Sequence, residues 1–183
     1  PDFQKYTTTA VIDMGANATH LLIVKEGLPW LSRTIPIGGN DFTESVMTSF
    51  SISFEEAENV KKQYGTLKID DTDKQIDNED NPYMGVDEVL MSIAQDVIGE
   101  VRRSFVHYHM HNRGKQIEAI YLTGGSSQLI GIKDLLEEAL SVSVFPLEIG
   151  HSCAIDHNIN KLFADNKAFM AESLGLALSG VSR

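Results

Sequence analysis

The sequence predicts an α/β protein in which helices flank a mixed, twisted sheet. Three short β-branched and apolar runs joined by tight turns fill residues 7–39. Two further strand-like runs, at 117–123 and 143–147, alternate with helix-like segments. A meander followed by such an alternation is typical of a sheet that has both antiparallel and parallel neighbours.

The meander consists of three strands in chain order. TTTAVIDMG (7–15) is β-branched and ends at a glycine, HLLIV (20–24) follows a short polar turn, and WLSRTIPIGG (30–39) ends at two glycines. The residues KEGLP between the second and third strands have turn composition. Strands joined this closely pair as antiparallel neighbours. Trp30, at the start of the third strand, is interpreted as a packing residue.

Helical patterns begin at Asn40. Ser53 and Glu56 have the S-x-x-E spacing of a capping box. This spacing predicts a helix that begins there and runs to about Gly65.

A longer helix follows. Apolar residues recur at steps of three and four from Val86 to Phe105, which leaves one apolar stripe and predicts an amphipathic helix. Shorter patterns predict a helix at 131–140 and a closing helix at 166–180 with small residues on one face.

The composition excludes several classes of protein. With 42% hydrophobic and 22% charged residues, the chain has the composition of a soluble globular protein. No apolar run approaches the roughly 20 residues of a membrane-spanning helix. The net charge of -11 argues against general nucleic-acid binding. The lone Cys153 excludes an internal disulfide and fits a reducing compartment, so the sequence predicts a cytosolic protein.

Three other patterns admit a functional interpretation beside a simpler one. DDTDKQIDNEDNP (70–82) predicts an exposed acidic loop; calcium is the alternative, but the spacing lacks the glycine and final glutamate of an EF-hand. His107 and His111 could share a metal at i, i+4, although histidines near a helix C-terminus are favourable without one. Cys153 stands near His151 and His157. No glycine-framed nucleophile turn surrounds it, so a small buried cysteine is the preferred interpretation.

Glycine-bearing turns follow three of the predicted strands: DMGANAT (13–19), IPIGGND (35–41) and LTGGSSQ (122–128). In open α/β sheets, ligands collect where strands end and helices begin, and glycine lets a phosphate or a ring approach the main chain. Asp13 closes the first strand, where a carboxylate could hold a hydrated magnesium ion. Taken singly, each turn is explained by turn formation alone. The sequence has no P-loop motif.

In this order and spacing, the segments resemble a known group. VIDMGANATHLLIV resembles the second phosphate motif of the actin-like, hexokinase-like and Hsp70-like ATPase superfamily, and YLTGGSSQLIGIKDLLEEAL resembles its adenosine motif. PIGGNDFTESV and EEAENVKKQYG are similar to segments of the bacterial subgroup that contains FtsA and PilM. The long helix and the closing helix suit the PilM type better. The resemblance covers nearly the whole chain and implies an actin-like (ribonuclease H-like) ATPase fold.

The resemblance also implies a binding site for ATP and Mg²⁺. Its candidate residues are Asp13, Gly15, Asn17, Thr19, Gly38, Gly39, Glu58, Lys61, Gly124, Gly125 and Ser126. Asp13 would hold the magnesium ion through water, and Gly15, Asn17 and Thr19 would face the β- and γ-phosphates. Glu58 would accept hydrogen bonds from the ribose, and Lys61 would flank the ribose or the adenine. The turn at Gly124 to Ser126 would carry the nucleoside and the α-phosphate. Without the resemblance, Glu58 and Lys61 are an exposed helical pair at i, i+3.

The chain departs from the full-length members of this group. Those members begin with another lobe that carries a first Asp-x-Gly motif, whereas DMG is the one Asp-x-Gly in this sequence. We therefore expect residues 1–183 to be the second, C-terminal lobe, with residues 40–84 as a smaller inserted subdomain and the N-terminal lobe absent. Hydrolysis of ATP by this chain alone is not expected.

The expected function is that of an ATP-binding cytoplasmic scaffold, peripheral to the inner membrane, in a type IV pilus or related secretion platform. Its expected partner is an inner-membrane pilus platform protein that binds mostly through the absent half, and self-association is left open. Two alternatives remain at this point. One is a degenerate actin-like module that binds partner proteins but no nucleotide. The other is a lobe of a sugar-kinase-like enzyme, whose specific sugar motifs are not visible.

Overall fold

A five-stranded mixed sheet organises the fold. The computed structural model describes residues 6–67 and 82–147. The strands are β1 (Thr8–Met14), β2 (Thr19–Lys25), β3 (Leu28–Ile35), β4 (Ala119–Thr123) and β5 (Val144–Pro146), and they lie in the order β3-β2-β1-β4-β5. β1, β2 and β3 pair antiparallel, whereas β4 lies parallel to both β1 and β5. The mixed sheet predicted from the sequence is confirmed.

Within the described residues, four α-helices flank this sheet. They are α1 (Gly39–Phe50), α2 (Phe54–Tyr64), α3 (Val86–His111) and α4 (Ile132–Leu140). The predicted capping residue Ser53 does start α2, because its side-chain oxygen accepts a hydrogen bond from the Glu56 amide at 3.2 Å. The carboxylate of Glu56 instead accepts a hydrogen bond from the Tyr83 hydroxyl, which ties α2 to the start of α3.

Helix α3 extends six residues beyond the predicted end at Phe105. The three histidines in this last part are exposed, and Tyr108 is the one residue there that continues the buried stripe. The apolar pattern therefore fades before the helix ends. The chain leaves the helix after His111, where Arg113 and Gly114 take positive φ values of 53° and 79°. A left-handed conformation at this place is a common way for a helix to end.

The last turns of α3 are joined to the meander by aromatic and polar contacts. Trp30 packs edge-to-face on Tyr108, with ring centroids 4.8 Å apart, so its role is the packing role predicted from the sequence. The Tyr108 hydroxyl lies 2.9 Å from the Thr8 hydroxyl, and both residues are buried. Arg33 of β3 donates to Ser104 and contacts the Glu100 carboxylate.

We expect Tyr108→Phe to lower the free energy of unfolding by about 1 kcal/mol, because the buried Thr8 hydroxyl loses its partner. Chemical denaturation measures the change. Tyr64→Phe is the control, since Tyr64 is exposed and its hydroxyl can bond to water. Equal effects of the two substitutions would contradict the role given to the Thr8–Tyr108 bond.

Several predictions fall outside the described residues: most of the acidic loop (residues 70–81), Cys153 with His151 and His157, and the closing helix at 166–180. The inserted subdomain at 40–84 stays a prediction. Within the part of the chain that the structure describes, none of the helices has the length and apolar character needed to cross a membrane.

Candidate functional site

The candidate site begins where β1 and β4 end side by side. These strands are parallel, and Asp13 is in register with Thr123, so the turns that follow them are neighbours. Gly124 has φ 90° and ψ 164°, a conformation that is essentially restricted to glycine. A Cβ at Gly124 would also collide with Asp13 Oδ1 and would lie 2.5 Å from the Met14 carbonyl oxygen. The first glycine of this turn is therefore required by the contact between the two turns.

The N-terminus of α1 joins the same place. The Gly39 amide donates to the Gly15 carbonyl at 2.9 Å, and the Asn40 amide donates to the Ala16 carbonyl at 2.7 Å. Ser126 Oγ donates to the Gly15 carbonyl at 3.2 Å from the other side. The three glycine-bearing turns, far apart in sequence, thus meet around the residues that follow β1.

The side chains of α2 reach this junction through a partly buried hydrogen-bond network. Lys61 is 14% exposed, and its ammonium donates to the Gly39 carbonyl at 3.0 Å, to Thr43 Oγ1 at 2.7 Å and to Glu58 Oε2 at 2.6 Å. An ammonium group has three N–H donors, so Lys61 is saturated by protein acceptors. Its position links α2 to α1, and it is not a free cation facing the cavity.

Glu58 supplies the carboxylate of this network, and both of its oxygens have partners. Oε2 accepts from Thr43 at 2.5 Å as well as from Lys61, whereas Oε1 lies 3.1 Å from the Lys62 ammonium. Burial alone would raise the pKa of the carboxyl group, but hydrogen bonds from Lys61, Thr43 and Lys62, with the charge of Lys61, lower the pKa from 4.5 to about 2. Glu58 is therefore ionised at any physiological pH and keeps its acceptor capacity.

This pKa shift predicts a pH dependence of stability. Because the folded-state pKa lies below the unfolded value, the stabilisation is fully present above about pH 4.5 and is lost as the pH falls towards 2. We expect the difference in free energy of unfolding between the native protein and Glu58→Gln to be constant at higher pH and to shrink across this window. Urea denaturation at a series of pH values measures it.

Glu137→Gln is the matched control for this measurement, because Glu137 pairs with Lys133 on an exposed helix face. Its effect should be small throughout. A difference for Glu58→Gln that does not change between pH 4.5 and 2 would contradict the arrangement of charges described here.

The network and the turns line a partly open cavity of about 580 Å³, within the range of small-molecule sites. Of the candidate residues, it brings together Asp13, Gly15, Gly39, Glu58, Lys61, Gly124, Gly125 and Ser126. It also contains residues that the sequence analysis did not select: Ala16, His20, Asn40, Phe42, Lys62, Gly65, Gln128, Leu129 and Ile130. Lys62 could have been found, because it follows Lys61 on a helix whose Glu58 lies at i-4. The apolar residues of this set could not have been found, because nothing in the sequence distinguishes them from core residues.

Three candidates lie outside the lining of this cavity. Thr19 is fully buried, and its hydroxyl donates to the Ile37 carbonyl at 2.8 Å, which holds the segment before α1. The Asn17 side-chain oxygen accepts from the Asn40 side chain at 2.8 Å. Gly38 packs so closely on the turn after β1 that a Cβ would lie 2.5 Å from the Ala18 nitrogen. These contacts shape the turn; any role of the three residues towards a ligand stays a prediction.

The histidines considered as a possible metal pair are neighbours on the surface of α3. The rings of His107 and His111 lie 4.2 Å apart, and His111 Nδ1 is 2.8 Å from the His107 carbonyl oxygen. Within residues 6–67 and 82–147, His, Cys, Asp and Glu side chains form no group of three or more that could hold a metal ion.

The mixed sheet, with a cavity at the adjacent ends of its parallel strands β1 and β4, defines the fold of an actin-like ATPase. The solved structure of MreB5 of Spiroplasma citri bound to ADP has this fold, with a TM-score of 0.60 at 19% identity, covering 91% of this chain and 56% of that one. The chain belongs to the PilM family: the family model "Type IV pilus assembly protein PilM" matches residues 1–181.

Individual relatives agree with this assignment. A chain of the solved PilM-PilN type IV pilus biogenesis complex is 27% identical with a TM-score of 0.78, covering 96% of this chain and 46% of that one. The cell division protein FtsA of Borreliella burgdorferi is 25% identical over 178 residues, which are 91% of this chain and 41% of FtsA. FtsA of Buchnera aphidicola (strain APS) is 28% identical over 149 residues, 73% of this chain and 36% of FtsA. This chain therefore spans less than half the length of these relatives.

Proposed function

We propose that this chain is a nucleotide-binding lobe of a type IV pilus assembly protein, with ATP and Mg²⁺ as its ligands. The observation that supports it most is the convergence of three separate glycine turns and the Glu58 network on one cavity. Turn formation alone would explain each glycine but would not require the turns to meet. The lining of the cavity includes the carboxylate of Asp13 as well as the apolar residues Leu129 and Ile130, so it offers contacts for a charged group and for a ring.

The ribose would bind at Oε1 of Glu58. A carboxylate oxygen has two lone pairs, and those of Oε2 are used by Lys61 and Thr43. Oε1 accepts from Lys62 and keeps a second lone pair for a sugar hydroxyl. Because the other donors fix the carboxylate in place, it is oriented before the ligand arrives, which reduces the entropic cost of binding.

The phosphates would lie against the turn after β1. The Gly15 amide closes this turn by donating to the Ala18 carbonyl at 3.0 Å. Within the described residues, the amides of Ala16 and Asn17 donate to no protein acceptor, so the turn can offer them to an anion. Asp13, which also lines the cavity, would hold a hydrated Mg²⁺ ion, and the ion would supply charge that neutralises the phosphates.

The proposed setting is a cytoplasmic scaffold of a pilus or related secretion platform, peripheral to the inner membrane. The family assignment and the similarity to a chain of the PilM-PilN complex support a partner that belongs to this assembly. A second lobe would supply the opposite wall of the nucleotide site and most of the surface for that partner. Residues 40–84 would form a smaller subdomain within the present lobe.

The experiment that tests the nucleotide site is isothermal titration of the full-length protein with Mg-ATP. We expect binding, and we expect Gly125→Asp to weaken it at least about tenfold, because a third carboxylate, beside Asp13 and Glu58, would enter the cavity where the nucleoside and α-phosphate would rest. Gly99→Asp is the matched control: it adds the same charge on α3, where a side chain meets no neighbour within 4 Å. Absence of binding, or equal binding by both variants, would favour the module that binds no nucleotide.

A further inference from the structure

The end of α3 has a charge pattern opposite to that of the whole chain. Residues 101–116 (VRRSFVHYHMHNRGKQ) contain four Arg or Lys residues and no Asp or Glu, although the chain has 26 acidic residues and a net charge of -11. The helix dipole favours cations only in the last turn of a helix. Arg102 and Arg103 lie about two turns before the end of α3 at His111, so the dipole does not account for them.

Apolar side chains stand exposed among these cations. Val106 is 52% exposed and Met110 is 73% exposed, and they are four residues apart, on the helix face opposite to buried Val101 and Tyr108. Arg103 precedes Val106 on the same face, and Arg113 and Lys115 follow the helix end, all three exposed. We call Arg102, Arg103, Val106, Met110, Arg113 and Lys115 the basic patch.

The acidic residues that flank residues 101–116 in the sequence, Glu100 and Glu118, already have partners. The Glu100 carboxylate contacts both Arg33 and Arg103, so two positive charges meet one negative charge. The Glu118 carboxylate accepts a hydrogen bond from the Thr7 amide at 3.1 Å. Glu26 is exposed in the β2–β3 turn. The ammonium of Lys25 beside it lies 2.9 Å from the side-chain oxygen of Asn112, so the positive charge of Lys25 lies next to the end of α3. Among the described residues, Arg102, Arg113 and Lys115 form no ion pair with a carboxylate, which leaves positive charge in excess at the end of α3.

We propose that the basic patch docks on an anionic lipid surface. The argument is one of charge complementarity: exposed cations surround exposed apolar tips, which is the composition of helices that lie at the headgroup boundary of a membrane. A second copy of this chain that docked through its own basic patch is a poorer occupant, because it would place cations against cations. Acidic charges on distant faces are screened over about 8 Å at physiological ionic strength, so they oppose binding less than the local cations favour it.

The test is co-sedimentation of the full-length protein with vesicles of phosphatidylglycerol and phosphatidylcholine in equal amounts, compared with vesicles of phosphatidylcholine alone. We expect binding to the anionic vesicles only, weakening as salt is raised. Arg113→Glu combined with Lys115→Glu should reduce binding about tenfold or more. Met110→Asp, a change at an exposed position that leaves the cations in place, should also reduce it.

Single charge reversals provide the matched control. Lys133→Glu changes the net charge as much as Arg113→Glu does, but Lys133 lies on α4 in a pair with Glu137. Equal loss of binding in these two variants would show that total charge matters and would overturn the proposal. Equal binding to neutral and anionic vesicles would overturn it as well. A third outcome would also overturn it: no vesicle binding, together with a dimer in analytical ultracentrifugation that Arg113→Glu converts to monomers. The basic patch would then bind a second copy of this chain.

Discussion

Gly124→Ala is expected to lower the free energy of unfolding by about 3 kcal/mol, the largest stability effect of the substitutions considered at the site. Two causes add. The backbone at Gly124 has φ 90° and ψ 164°, which a residue with a Cβ adopts only under strain. The new Cβ would also collide with Asp13 Oδ1 and the Met14 carbonyl, so the turns after β1 and β4 would have to separate. Chemical denaturation of the native and variant proteins measures the loss.

Gly27→Ala separates these two causes. Gly27 also has a positive φ, 78°, but a Cβ there meets nothing within 4 Å. It should cost only about 1 kcal/mol, the cost of a left-handed conformation. If Gly124→Ala costs no more than Gly27→Ala, the two turns are not packed as described. Because the separation would also move Asp13, we expect Gly124→Ala to abolish Mg-ATP binding by the full-length protein, whereas Gly27→Ala should retain it.

Lys61→Met is expected to lower the free energy of unfolding by about 2 kcal/mol, since it removes three hydrogen bonds from a side chain that is only 14% exposed. The Gly39 carbonyl and the Glu58 carboxylate would then lack their shared donor. We expect nucleotide binding to weaken as a consequence, because Glu58 would lose one of the two donors that fix Oε2. Thermal or chemical denaturation, followed by titration with Mg-ATP, measures both effects.

Lys62→Met and Lys133→Met are the controls. Lys62 is 67% exposed and contacts Glu58 Oε1 only at 3.1 Å, and Lys133 pairs with Glu137 on the surface of α4. Each should change the free energy of unfolding by less than about 0.5 kcal/mol. Lys62 lines the cavity, so its substitution should weaken Mg-ATP binding without loss of stability, whereas Lys133→Met should change neither. A Lys61→Met variant as stable as Lys133→Met would contradict the network.

The fold was predictable because its signals are local. Tight turns between β-branched runs are sufficient for an antiparallel meander, and the Ser53 cap marks the start of α2. The end of α3 could not be predicted in this way. Its stripe passes through Tyr108, whose burial depends on contacts with Thr8 and Trp30 that are distant in sequence. The insertion of β4 between β1 and β5 could not be predicted either, because it depends on contacts between residues that are distant in sequence.

The candidate site was only partly predictable for the same reason. A motif can select Gly124 and Lys61 but does not say whether each faces a ligand or holds another part of the protein. The structure gives Lys61 three protein acceptors and gives Gly124 a contact with β1, so both have positioning roles. Thr19, selected as a neighbour of the phosphates, is buried with its hydroxyl on the Ile37 carbonyl. The motif did not select Lys62, although this residue lies four positions after Glu58 and is more exposed than Lys61.

The hydrogen bond between Ser126 and Gly15 joins residues 111 positions apart in the chain, and this separation has a consequence for the order of folding. The β1–β3 meander can form early because its turns are short, whereas closing so long a loop is slow. The cavity exists only after β4 has inserted beside β1. In a refolding experiment, the capacity to bind a ligand should therefore return after the spectroscopic signal of the meander, as one of the last events on the way to the native state.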